Sequence, residues 1–165
     1  MKMPAPDDAL IARKAEIVRA LRRIVPGEGV VAEPSDLTPF ESDGLSAYRQ
    51  QPLAVVLPET TRQVAEVLAW CQANGVKVVP RGAGTSLSGG ALPLADGVIL
   101  GMARFNRILE IDLANRCAVV QPGVTNLAIT GAVEADGFYY APDPSSQIAC
   151  TIGGNVRRTP VGCTA

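Results

Sequence analysis

Histidine is absent from all 165 residues of this chain. No Ser-His or Cys-His pair can therefore be assembled, and no imidazole base exists. Catalysis by this chain alone would have to use carboxylates, lysine, tyrosine, cysteine or a cofactor. The four cysteines, Cys71, Cys117, Cys150 and Cys163, form no CxxC pair, which together with the missing histidine argues against a zinc site. An excess of one charge is also lacking: 15 basic residues stand against 16 acidic ones, for a net charge of −1. That balance gives no reason to expect nucleic acid or an anionic membrane as partner. No apolar run approaches the roughly 18–20 residues of a membrane span. The opening MKMPAPDDALIARK has charges where a signal peptide needs its apolar stretch. Scattered cysteines without a secretion signal point to reduced thiols and a cytoplasmic location.

What is present is ordinary globular material. Apolar residues make up 47% and charged residues 19% of the chain, and the length suffices for one domain with a core. Residues 8–25 read as a helix, with Leu10, Ile17, Leu21 and Ile24 along one side and Pro26-Gly27 as its stop. Residues 26–52, rich in Pro, Asp, Ser and Gly, read as a mostly irregular crossing segment, and Glu41, Asp43 and Tyr48 within it as loop residues. Leu53–Leu57 is a short apolar strand. Thr60 to Gln63 fits a capping box, Val64, Val67, Leu68 and Cys71 follow at helical spacing, and Asn74-Gly75 ends the helix. With the strand Val76–Val79 this is a β-α-β unit, which favours a parallel pair with a right-handed crossover. A further strand is expected over Gly97–Ala103 and a hairpin from residues 108–112 and 117–121. A helix runs from a Thr125 cap to Asp136, and a last strand covers Phe138–Ala141.

The chemistry concentrates in PRGAGTSLSGG, residues 80–90, where four glycines and three hydroxyl residues follow an apolar strand. A GxGxxG fingerprint would need glycine where Leu87 stands, a Walker loop lysine at Gly90, and a nucleophile elbow glycine at Ser88. All three fail. The remaining property is physical: backbone N–H groups from Gly82 to Ser86 can form a concave donor nest for a diphosphate, with Thr85 and Ser86 adding hydroxyls. Arg81 either adds charge or anchors the loop. A plain surface turn is the competing reading of these letters alone. PDPSSQIACTIGGN, residues 142–155, repeats the combination of small residues, hydroxyls and paired glycines, which favours a long ligand threaded between two loops.

PRGAGTSLSGGALP, QPGVTNLAI, YYAPDPSS and CTIGGNV, in that order, resemble the FAD-binding domain of the FAD-linked oxidases, the vanillyl-alcohol oxidase type. Within that family the resemblance is strongest to glycolate oxidase flavoprotein subunits and D-lactate dehydrogenases, and it covers roughly residues 10–156. It implies an α+β fold in which a small parallel β-α-β part packs beside a mixed, mostly antiparallel part, with FAD between them. Carried over residue by residue, Gly82, Ala83, Gly84, Thr85 and Ser86 would hold the pyrophosphate, with Arg81 and Gly89 flanking them. Pro142, Asp143, Ser146, Thr151, Gly153, Gly154 and Asn155 would line the ribityl and flavin side. Some relatives bind FAD covalently through a histidine at the position of Thr85, so non-covalent FAD is implied here.

After TIGGNV the family continues with a sequence like AENAGG, whereas this chain reads RRTPVGCTA. The resemblance therefore divides the chain into a helix and irregular segment over 1–52, a partial FAD-binding domain over 53–156 and an aberrant tail over 157–165. It implies a C-terminally truncated or frame-shifted piece of a 2-hydroxy-acid oxidase or dehydrogenase, inactive by itself. In complete relatives a base takes the hydroxyl proton of glycolate or D-lactate, a hydride passes to the flavin, and electrons leave to a quinone or another oxidase subunit. A non-catalytic nucleotide-binding module is the first alternative, and a sequence without a stable fold the second.

Overall fold

The computed structural model describes residues 3–142 and 145–157. Asp143 and the tail from residue 158 onward lie outside the described residues. The helix expected over 8–25 is present in two pieces, α1 (Asp8–Ala12) and α2 (Lys14–Ile24), interrupted at Arg13. The Asp7 side chain accepts from the Ala9 N–H and caps α1. Ile17 and Leu21 of α2 are completely buried.

Within the segment expected to be irregular, Val30–Val31 forms a strand, β1, and Pro34–Leu37 a single helical turn, α3. Two residues are too few for any periodic signal; what makes β1 a strand is its antiparallel pairing with β2 (Ala54–Val56). Next come α4 (Thr61–Ala73), β3 (Lys77–Arg81) and β4 (Gly97–Gly101). Thr60 caps α4 by accepting from the Gln63 N–H at 3.2 Å, while Gln63 Oε1 reaches back to the Glu59 N–H rather than that of Thr60.

The sheet order is β1-β2-β4-β3, with β4 parallel to both neighbours. The two strands of the β-α-β unit are thus parallel but not adjacent. β4, Gly-Val-Ile-Leu-Gly, is buried at all five positions, and a strand that apolar is stable where both edges are paired and both faces covered. Alternation assigns the faces. Ala54, Val56, Val98 and Leu100 pack with Ile17, Leu21, Val67 and Cys71 of the helices, whereas Val55 and Ile99 pack with Leu37 on the opposite side. The N-terminal helices therefore share one core with the sheet. Burial pushes the Cys71 thiol up to about 11.

The second part starts with the expected hairpin, β5 (Ile108–Asp112) and β6 (Cys117–Val120), bulged between Ile108 and Glu110. Thr125 caps α5 (Asn126–Val133), and Gly137, at φ +78°, ends the turn that extends it. Residues 138–141 are not a strand, contrary to the sequence expectation. The Phe138 N–H donates to the Val133 carbonyl and the Tyr140 N–H to Thr130 Oγ1, so this stretch is bound to α5 rather than to a sheet. The paired glycines of CTIGGN also leave the expected loop conformation and lie in a short helix, α6 (Ile152–Arg157). The Ile152 and Gly153 N–H groups donate to the Val124 and Pro122 carbonyls, fixing α6 to the start of α5. A Cβ on Gly153 would stand 2.7 Å from Pro122 Cβ, so that contact requires glycine. No helix of the described residues is long and apolar enough to cross a membrane.

Candidate functional site

The glycine loop starts where β3 ends, at the carboxyl edge of the parallel sheet, where open α/β sheets characteristically receive ligands. Gly84 and Gly89 adopt φ of +75° and +71°, a region that side chains with a Cβ enter at a cost. Ser86 Oγ accepts from the Ser88 and Gly90 N–H groups at 3.3 and 3.2 Å, curling the second half of the loop around itself. The N–H groups of Gly82, Ala83, Gly84, Thr85 and Ser86 find no acceptor among the described residues. Unpaired main-chain donors next to a glycine turn are what a diphosphate nest consists of.

Arg81 anchors the loop, one of the two roles its sequence position allowed, and it also lines the cleft beside it. Its Nη1 donates to the Ser42 carbonyl at 2.7 Å, and its guanidinium lies 5.6 Å from the centroid of the Phe40 ring. Burial draws its pKa below the ordinary arginine value, and the nearby Asp43 charge opposes that shift.

Across the loop lies the start of α6, and between them opens a cleft of about 1110 Å³. Its polar side is formed by Gly82 to Ser86 on one bank and by Ser146, Thr151, Gly153, Gly154 and Asn155 on the other. Val64 and Leu68 of α4, with Val78, Leu100 and Met102, supply an apolar wall. Arg81 is the one charged side chain among the described lining residues. Two expected positions stand back from the cleft: Gly89 turns the loop, and the Pro142 carbonyl accepts from Asn126 Nδ2 at 3.0 Å. The expectation for Asp143 falls outside the described residues.

Asn155 is held from behind. Its Nδ2 donates to Asn126 Oδ1 at 2.7 Å, and to Cys150 Sγ at 3.7 Å. Asn126 is 2% exposed, a buried amide satisfied by its two partners. Reading the sequence missed it, because its partners lie 16 and 29 residues away. The apolar wall was also missed, although Val64 and Leu68 already appeared in the helical pattern. Thr151 differs from the asparagines: its Oγ1 is buried and has no partner among the described residues.

Residues 52–164 match the family described as FAD binding domain. The chain is 57% identical over 143 residues to the glycolate oxidase subunit GlcD of Escherichia coli K12, spanning 87% of this chain and 29% of that protein. It is 32% identical over 157 residues to a D-lactate dehydrogenase of Anaerostipes hadrus, spanning 90% of this chain and 33% of that one. It thus spans about a third or less of the length of these relatives. Among solved structures, p-cresol methylhydroxylase with substrate bound superimposes with a TM-score of 0.78 over 97% of this chain and 32% of that one, at 22% identity. At that identity the likeness establishes the fold alone.

Proposed function

The chain belongs to the FAD binding domain family, and from that membership we propose that its cleft holds FAD non-covalently, as the cofactor-binding part of an oxidoreductase acting on a 2-hydroxy acid such as glycolate or D-lactate. One observation carries the assignment of the cleft. The N–H groups of residues 82–86, without acceptors among the described residues, line the same cleft as Thr151, whose buried, partnerless hydroxyl lies 2.5 Å from where a Cβ on Gly82 would stand. A polar group without a partner is costly once water is excluded; diphosphate oxygens in the cleft would take the loop N–H groups, and a small shift of Thr151 on binding would bring its hydroxyl to the ligand. The residues present fit a dinucleotide: main-chain donors for a diphosphate, an apolar wall for a flat ring, and the amide of Asn155 with the Thr151 hydroxyl at the other bank.

Bound flavin supplies the hydride-accepting chemistry; the protein binds, orients and shields it. The described lining contains no carboxylate, lysine or imidazole, so the proposal places the proton-accepting base and the clamp for the substrate carboxylate outside these residues. The division at residues 53–156 for the cofactor part, partnership with other oxidase subunits and a cytoplasmic setting belong to the same proposal. Cys71, Cys117 and Cys150 are free thiols, as that setting requires.

The test is reconstitution. The purified 165-residue polypeptide, mixed with FAD and desalted, is expected to retain stoichiometric flavin. Glycolate or D-lactate added anaerobically is expected to leave that flavin unbleached, with a longer relative as the bleaching control. Failure to retain flavin overturns the cofactor assignment; bleaching at the control's rate overturns the division of labour. A module with no redox role is the second reading, favoured by the lack of a base among the described lining residues, and it predicts ADP binding as tight as FAD.

A further inference from the structure

Resting on the reading of the cleft as an FAD site, we propose that Asp43 is a positioning residue for the cofactor, whose carboxylate braces the glycine loop in its donor-presenting shape before any ligand arrives. Asp43 is 7% exposed and accepts two backbone hydrogen bonds at once. Oδ1 takes the Leu45 N–H at 2.9 Å, and Oδ2 takes the Ala91 N–H at 3.2 Å, across 48 positions of sequence.

The segment around Asp43 meets the loop at three points. Ser42 receives the Arg81 guanidinium where the loop begins. Gly44 lies so close to its middle that a Cβ there would stand 2.9 Å from the Ser86 carbonyl and 3.0 Å from that of Thr85. Asp43 holds Ala91, where it ends. The loop between has φ-positive glycines at 84 and 89, and the N–H groups of its first half, residues 82–86, have no acceptor among the described residues. A flexible loop would have to order when the ligand binds, and that ordering subtracts from affinity. An external brace moves the cost into folding.

The chemistry demands a carboxylate. Both oxygens face N–H donors, so an amide at this position would turn one NH₂ donor against another donor. A buried anion near a diphosphate site is unfavourable without a countercharge, and Arg81 supplies it.

Asp43→Asn, made in the full chain, keeps the size of the side chain and removes one acceptor. The expected result is a rise in the Kd for FAD of about ten- to a hundredfold. Amide exchange over residues 82–91 of the ligand-free chain should accelerate, while exchange in β4 stays as in the parent. An unchanged Kd, or equal acceleration in the loop and in β4, overturns the proposal, because Asp43 would then be irrelevant or a general stabiliser. Should Asp43→Asn fail to fold, Gly44→Ala disturbs the same contact from the other side. Weakened FAD binding with β4 protection intact supports the brace, and parent affinity sinks it. A parent chain that retains no FAD brings down the cleft assignment and the brace with it. A parent that binds alongside an unaffected variant brings down the brace alone.

Discussion

The Thr151 hydroxyl oxygen occupies the space next to Gly82 that any other side chain would need, 2.5 Å from where the Cβ of residue 82 would be. It is also the one buried side-chain polar atom without a partner among the described residues. The contact joins the two banks of the cleft at one pair of residues, and the pair separates a binding role from a structural one.

Thr151→Val removes the orphan hydroxyl and keeps the shape of the side chain. An apolar isostere of an unpaired polar group is neutral to stabilising, so the melting temperature of the ligand-free chain should hold or rise, by up to about 1 kcal/mol of stability. FAD affinity should nevertheless fall, by roughly three- to tenfold, the worth of one neutral hydrogen bond. Thermal unfolding and a fluorescence titration on the same samples check the opposed signs.

Gly84→Val tests the other bank. Gly84 has φ +75°, and a Cβ there would collide with the Arg81 guanidinium. The left-handed conformation costs a side-chain-bearing residue roughly 1–2 kcal/mol, more when it is β-branched. The collision would also pull Arg81 off Ser42. Flavin retention after desalting should be lost; flavin content equal to the parent's would refute this loop as the diphosphate site.

Acid precipitation should release the flavin into the supernatant. Histidine, the usual covalent attachment, is absent from the sequence. Cys150, 4% exposed, accepts a hydrogen bond from Asn155. A pellet that stays yellow would overturn the non-covalent assignment.

Stability should fall in acid partly through Asp96. Burial pushes its carboxyl pKa up, but the hydrogen bond from Lys77 Nζ at 2.6 Å and the Asp7 N–H outweigh burial, so the folded value lies below the ordinary one. A depressed folded pKa gives stability that is full above the unfolded value of about 3.9 and is lost as pH falls through the folded one. Asp96→Asn should therefore cost roughly 1–3 kcal/mol near neutral pH. The difference from the parent should shrink below about pH 4, and denaturant unfolding at several pH values reads both.

Elements whose determinants are local were legible in the letters. Thr60 and Thr125 cap the helices they were expected to cap, Gly75 and Gly137 adopt positive φ at their ends, and residues 113–116 turn the hairpin. The glycine loop and part of the second expected loop, which the structure places partly in α6, line one cleft. Phe138–Ala141 misled, because its apolar letters fit a strand equally well while its N–H groups had nearer acceptors on α5.

The sequence by itself determined the helical faces, the caps, the glycine loop and, through its lack of histidine, the classes of chemistry closed to this chain. These depend on spacing within about one turn or one strand, where the chain's own geometry sets the outcome. Tertiary structure alone decided that β4 inserts between β2 and β3, that Arg81 reaches the Ser42 carbonyl, and that Thr151 is left without a partner. It also decided that Asp43 reaches Ala91 and Asn126 reaches Asn155. The last two pairs lie 48 and 29 positions apart. No periodicity records such pairings; they arise when apolar faces are buried together and buried polar groups must find partners among whatever the packing brings near.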